Sequence, residues 1–137
     1  MFGLFSKKTR AKILLVDDDA SVVETLRERL EMSDYAVTTA SNGREGLEKA
    51  LNLEPDIVLL DNNMPVMSGP EALERLRENP RGRDISVIMV TAANRIEDID
   101  RADKCGVDDY IIKPFNTHDL LAKIEAIIEN KATVAQK

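Results

Sequence analysis

Asp17, Asp18 and Asp19 follow the apolar run Ile13–Val16, and Asp61 ends a second such run, Ile57–Leu60. Thr91 follows a third run, Ser86–Val90, and Lys113 and Pro114 follow a fourth, Tyr110–Ile112. Carboxylates brought close together repel one another and must either take up protons or recruit a cation. With oxygen ligands and neither histidine nor cysteine in these stretches, that cation is a hard one. Mg2+ suits such a set, because it takes one or two carboxylates and leaves room for water and a phosphoryl oxygen. The main-chain carbonyl of Asn63, two residues past Asp61, is a further candidate ligand. A lysine opposite the metal and a hydroxyl beside it would stabilise the three oxygens of a transferring phosphoryl group. Asp61 would then be the nucleophile and form an acyl phosphate.

Singly, each residue has an ordinary explanation. A lone aspartate at a strand end is commonly a helix cap or turn residue, and Asp19 or Ser21 is expected to cap the helix that follows. The signal is the recurrence: acids end two strands, a hydroxyl ends a third, and a lysine followed by proline ends a fourth.

Those residues are far apart in the chain, so the fold must gather them. The apolar runs alternate with segments of helical period. Val22, Val23, Leu26 and Leu30 mark the first helix, and Leu47, Ala50, Leu51 and Leu53 mark the second. Pro70, Leu73 and Leu76 belong to the third, Ile96 to Cys105 is a thin and highly charged fourth, and Leu120 to Ile128 carries the last. A short β-branched run, Ala36–Ala40, reads as an edge strand. Strand and helix alternating five times imply an α/β fold, a single doubly wound sheet of five parallel strands covered by helices on both faces. Every strand's carboxyl end then lies along one edge, where ligands of open α/β sheets bind.

The chain has 137 residues, room for one domain of ordinary size. Residues 1–11 read as a flexible basic arm, 12–130 as the domain and 131–137 as a C-terminal tail. No apolar run approaches the roughly 18 residues of a membrane span, so no stable membrane insertion is expected. A net charge of −6 argues against a surface built for nucleic acid, and no direct DNA binding is expected. The one cysteine, Cys105, reads as a small core residue in a cytoplasmic protein. His118 is expected to be exposed and to carry no phosphoryl group.

ILLVDDD, DIVLLDNNMPVMSG, VIMVTAA and DYIIKPF together resemble the receiver domain of bacterial two-component response regulators over about Lys12 to Asn130. The resemblance implies a flavodoxin-like strand order 2-1-3-4-5, an order documented for the chemotaxis receiver. It also implies phosphorylation at Asp61, with Mg2+ held by Asp17, Asp18, Asp61 and the Asn63 carbonyl. Thr91, with Ala92 beside it, matches the switch hydroxyl, Lys113 the phosphate-pairing lysine, and Tyr110 the aromatic that moves inward. Pro114 matches a proline after a cis peptide bond. Ser68 stands where an acid is common, and Asn63 and Ala93 occupy positions that tune access of water.

The function implied is a signalling switch rather than an enzyme, catalysing only its own phosphorylation and dephosphorylation. The donor would be a sensor histidine kinase or a histidine phosphotransfer protein. A phosphoryl group adds charge and acceptor oxygens enough to draw Thr91 and reposition the loop before the fourth helix. The changed surface of the fourth helix, fifth strand and fifth helix would then control a downstream protein target. The chain reads as complete from Met1 to its tail, without an output domain. Alternatives are an intermediate in a phosphorelay, an aspartyl-phosphate phosphatase using Asp17 as nucleophile, and an interaction module that keeps the fold without the chemistry.

Overall fold

The computed structural model describes residues 9–92 and 96–135; the expectations for Met1–Lys8 and Ala93 lie outside the described residues. Strands β1 (Lys12–Val16), β2 (Ala36–Ala40), β3 (Ile57–Asp61), β4 (Ser86–Ala92) and β5 (Asp109–Lys113) form one sheet. All are parallel, in the order β2-β1-β3-β4-β5. Between and after them run α1 (Ala20–Met32), α2 (Gly43–Leu53), α3 (Gly69–Glu78), α4 (Ile96–Lys104) and α5 (Thr117–Ala135). A 3-10 turn over Pro80–Gly82 occupies part of the loop after α3. This is the flavodoxin-like order.

Parallel strands buried on both faces need apolar residues at successive positions, and β1, β3 and β4 supply them. Ile13, Leu15, Ile57, Leu59, Ile88 and Val90 face a core shared with Leu26 and Leu30 of α1 and Leu120 and Ile124 of α5. Leu14, Val16, Val58, Leu60, Val87 and Met89 face the opposite way, against Ala50 of α2, Leu73 and Leu76 of α3, and Ala102 of α4. Each leucine or isoleucine so buried contributes about 1.5–3 kcal/mol relative to exposure. At the two edges, β2 and β5 are only partly covered.

The helix starts are capped locally. Asp19 accepts from the N–H groups of Ser21 (3.0 Å) and Val22 (3.3 Å). Asn42 accepts from Glu45 N–H (2.9 Å), Ser68 from Glu71 N–H (3.3 Å) and Asn116 from Asp119 N–H (2.7 Å). Several boundaries differ from the sequence reading. β3 and β4 extend beyond their apolar runs to include Asp61, Thr91 and Ala92, because Asp61 remains in register with Val90, and Ala92 with Lys113. Helix α5 continues to Ala135, so a tail beginning at residue 131 is corrected. No glycine or proline interrupts that stretch, and Lys131 Nζ donates to the Asp56 carbonyl at 2.7 Å. The arm also ends earlier than residue 11, since Ala11 is buried and Arg10 lies 4.9 Å from the centroid of the Tyr35 ring.

The loop from β3 to α3 contains a strained turn. Met67 N–H donates to the Pro65 carbonyl at 2.7 Å, closing a three-residue turn around Val66 at φ 71°. This γ-turn is the strained form, unusual for a β-branched residue, and the Val66 side chain is exposed and packs little. Relief of strain worth roughly 1–3 kcal/mol outweighs the roughly 0.5–1 kcal/mol by which glycine favours the unfolded chain. Val66→Gly should therefore stabilise the fold by about 1 kcal/mol, read as a higher urea midpoint at unchanged m value.

Candidate functional site

The sheet brings the predicted residues to one edge. Asp17 directly follows β1, its N–H donating to the Ala40 carbonyl at 3.1 Å, while Asp61 and Lys113 are the last residues of β3 and β5. Asp17 and Asp61 are each only 5% exposed, and Asp18 is open to solvent. One oxygen from each of these three carboxylates lies within 4.8 Å of the others. Lys113 Nζ donates to Asp61 Oδ1 at 2.7 Å and lies 3.5 Å from Asp17 Oδ2. The other oxygen of Asp17 accepts from Asp19 N–H at 3.0 Å, which fixes the orientation of that carboxylate.

Burial pushes the Asp61 carboxyl above its ordinary range, and the neighbouring Asp17 charge adds to this against the opposing pull of Lys113. At Lys113, burial opposes the charge, but the hydrogen bond and charge of Asp61, with Asp17, outweigh it and hold the ammonium above its usual value. The pair is thus asymmetric: a firmly charged lysine beside a carboxylate that pays for being ionised. Asp19 is held low chiefly by the Ser21 hydroxyl, in keeping with its capping role.

A cavity of about 400 Å³ opens over these groups, lined by Asp17, Asp18, Asp19, Asp61, Asn62, Asn63, Ala92 and Lys113, with Val90 at its wall. Thr91 is not among the lining residues. It is buried beside the cavity and its Oγ1 donates to the Ala92 carbonyl at 3.3 Å. Tyr110 stands further along the same face of the sheet, its hydroxyl donating to the Ile99 carbonyl at 3.1 Å and to the Asp103 carboxylate. The Lys113–Pro114 peptide bond is cis. His118 is exposed, and Cys105 is a free, half-buried thiol packed against the core.

The donor set suits a hard divalent cation. Among the described residues three carboxylates converge with no nitrogen or sulfur ligand, and two of them are buried with the ammonium of Lys113 to balance them. Asp17, Asp18 and Asp61 would hold such an ion.

A family model for the response regulator receiver domain matches residues 13–125. The chain belongs to the response regulator receiver family. Among curated proteins, the receiver is 35% identical over 125 residues to the "DNA-binding dual master transcriptional regulator RpaA" of Synechocystis sp., an alignment covering 91% of this chain and 52% of that protein. It is 43% identical over 125 residues to the "Transcriptional regulatory protein CpxR homolog" of Haemophilus influenzae, covering 90% of this chain and 52% of the relative. The receiver therefore spans about half the length of these curated relatives. A CheY-like response regulator receiver domain protein from Methanospirillum hungatei matches with 34% identity and a TM-score of 0.83, over 89% of this chain and 96% of that one.

Two residues of the receiver's cavity escaped the sequence reading. Asn62, given no role by the sequence, is buried with its N–H bonded to the Val90 carbonyl at 2.9 Å and its carbonyl to Gly69 N–H at 3.0 Å. Asp19, read as a cap, also lines the cavity. No local pattern separates either from an ordinary loop polar residue. A second cavity of about 710 Å³ adjoins the first, sharing Asp19 and Lys113, with Val22, Leu26, Pro114 and Phe115 giving it an apolar wall.

Proposed function

We propose that this receiver is a phosphorylation switch that accepts a phosphoryl group on Asp61 from a phosphohistidine donor. The observation that carries the reading is the 2.7 Å bond from Lys113 to Asp61 inside a cluster of three carboxylates, because it sets one oxygen donor beside a fixed positive charge. Asp61 attacks through a carboxylate oxygen, an acyl phosphate bond forms as the phosphorus–nitrogen bond of the donor breaks, and Lys113 moves onto the new phosphoryl oxygens. Bound Mg2+ would supply charge neutralisation at the transferred group. Asp17 and Asp18, with the carbonyl of Asn63, are the other proposed ligands.

Thr91 is then the hydroxyl drawn toward the phosphoryl group and Tyr110 the ring that follows it. Ala92, the exposed last residue of β4, lines the cavity wall. The donor is a sensor histidine kinase or a histidine phosphotransfer protein, and the cavity between α1 and Pro114–Phe115 is the apolar ground on which it would seat next to Asp61. The readout surface is α4, β5 and α5, and its partner is a downstream protein. The Synechocystis relative carries DNA binding in its name, but it is about twice as long as the stretch it shares with this chain. We assign no DNA contact to the receiver residues. Among the described residues no helix is long and apolar enough to cross a membrane, and we place the switch in the cytoplasm.

Incubation with acetyl phosphate and Mg2+, followed by peptide mapping, tests the assignment. The expected adduct is a single phosphoryl group on the peptide containing Asp61, lost on treatment with hydroxylamine. Label on the Asp17 peptide instead would make the chain a phosphatase-type enzyme, and no label on either would leave an interaction module.

A further inference from the structure

Within the described structure both acceptors of the Tyr110 hydroxyl lie on α4. One is the main-chain carbonyl of Ile99, at 3.1 Å, and the other is the side chain of Asp103. A phenol has one proton to donate, and a carboxylate makes the stronger bond of the two. Tyr110 pairs with Met89 across the β4–β5 register, two residues before the Thr91–Ile112 pair, so its ring stands on the Thr91 side of the sheet. It packs there against the cluster that contains Ala102.

Helix α4 is held unevenly. Among its described side chains only Ala102 is fully buried. Just past its C-terminus, the Arg77 guanidinium donates to the carbonyls of Cys105 (2.9 Å) and Gly106 (2.8 Å), as well as to Gly82 and Ile85. Arg101 makes a two-point ion pair with Glu74 of α3, with both distances 2.6 Å. Those contacts tie the helix to α3 and to the loop below it. The Tyr110 hydroxyl ties it to β5.

We propose that Asp103 is a positioning residue that latches the Tyr110 ring against α4 and so opposes the turn of Tyr110 toward Thr91. This rests on the reading of Asp61 as the phosphoryl acceptor. The latch acts through one hydrogen bond: when Thr91 is drawn toward Asp61, Tyr110 can follow only by giving up Asp103. By linkage, whatever free energy the latch contributes to the resting arrangement is subtracted from the affinity for the phosphoryl group. Burial, with the Asp103 charge added to it, pushes the phenol well above its ordinary range, so it keeps its proton as a donor at any physiological pH. The identity of residue 103 thereby sets how readily the switch turns on, without touching the reacting atoms.

The test uses the chain's own tyrosines. There are two and no tryptophan. Among the described residues the buried Tyr35 hydroxyl finds no hydrogen-bond partner, so Tyr35→Phe leaves Tyr110 as the sole emitter in an intact fold. A phenol donating to a carboxylate is quenched. In this background Asp103→Ala should brighten Tyr110 emission, and beryllofluoride with Mg2+ should bind about fivefold more tightly, the size expected of one hydrogen bond to an exposed carboxylate. Asp103→Asn keeps a weaker acceptor and should fall between parent and alanine. Once Tyr110→Phe has removed the donor, Asp103→Ala should no longer change the affinity. A helix-propensity effect would not follow the acceptor or need the hydroxyl. Unchanged emission in Asp103→Ala overturns the latch. Brighter emission with unchanged affinity overturns its opposition to the switch. If the parent binds no beryllofluoride, the acceptor reading falls and the regulatory half of this proposal falls with it, while the emission comparison still decides whether the bond exists.

Discussion

Asp61→Asn should take up no phosphoryl group from acetyl phosphate and yet unfold at a higher temperature than the parent chain at neutral pH without Mg2+. The loss of labelling follows from removing the oxygen proposed as the nucleophile. The gain in stability follows from where that oxygen sits. Asp61 is buried beside Asp17, and burial first, then the Asp17 charge, raises its carboxyl above the ordinary value despite Lys113. A carboxyl raised by folding binds its proton more tightly in the native state than in the unfolded chain. Its contribution is therefore full below the unfolded value near about 3.9 and is lost as pH rises through the higher native value. At pH 7 the ionised group works against the fold. An uncharged asparagine of the same shape avoids that cost while still accepting a hydrogen bond from Lys113. The advantage of the variant should shrink toward acid pH, where the parent also carries a neutral side chain at position 61. For a domain of this size each kcal/mol regained corresponds to roughly 2–4 °C.

Lys113 gives the complementary sign. Its raised value means that its contribution is full below the unfolded lysine value and is lost only as pH rises through the native one, so at neutral pH it favours the fold. Lys113→Met should lower the melting temperature at pH 7, because three carboxylates would then share the cavity without the ammonium. Scanning calorimetry of the two variants across acid and neutral pH decides the matter. A variant at position 61 that melts with or below the parent at pH 7 would show that the pairing with Lys113 outweighs burial.

Much of this arrangement is legible in the sequence. Runs such as ILLV and IVLL without polar alternation fit only strands covered on both faces, and their termination in Asp17 and Asp61 put the acids on one edge once the strands were parallel. Local pattern carried that far because strand direction, crossover handedness and burial are all set by short stretches. It fell short where a residue's role depends on a contact distant in the chain. Arg77 reads as one more charge on an amphipathic helix, and only the folded chain brings the carbonyls of Cys105 and Gly106 to it. Asp103 reads as a solvated residue on a charged helix, and its partner Tyr110 lies on another element. Val66 hides for the opposite reason: a β-branched residue predicts extended backbone, and the tight return from β3 to α3 overrides it. Helix α5 runs past Asn130 because nothing in Lys131–Ala135 breaks it.

That return also underlies the largest expected effect on folding. Gly69, the first residue of α3, lies so close to the end of β3 that a Cβ on it would fall 2.2 Å from the Asp61 carbonyl oxygen and 3.0 Å from the Asn62 Cα. These are backbone atoms. Asp61 is in register with Val90, and Asn62 donates to the Val90 carbonyl, so they cannot withdraw without breaking the β3–β4 ladder. Gly69→Ala should therefore cost about 3 kcal/mol, the upper end for overpacking, and it should do so by displacing the residue proposed to accept the phosphoryl group. Gly106→Ala provides the comparison. Its φ of 75° disfavours alanine, but among the described residues none beyond its chain neighbours lies within 4 Å of the new methyl group, so the loss should be nearer 1 kcal/mol. Urea unfolding separates the two. Labelling by acetyl phosphate adds a second axis, since the alanine at 69 should slow uptake even where the chain remains folded, while the alanine at 106 should leave it unchanged. Equal costs at the two positions would mean that the loop after Asp61 yields freely, and that the carboxylate is not held by the return of the chain upon it.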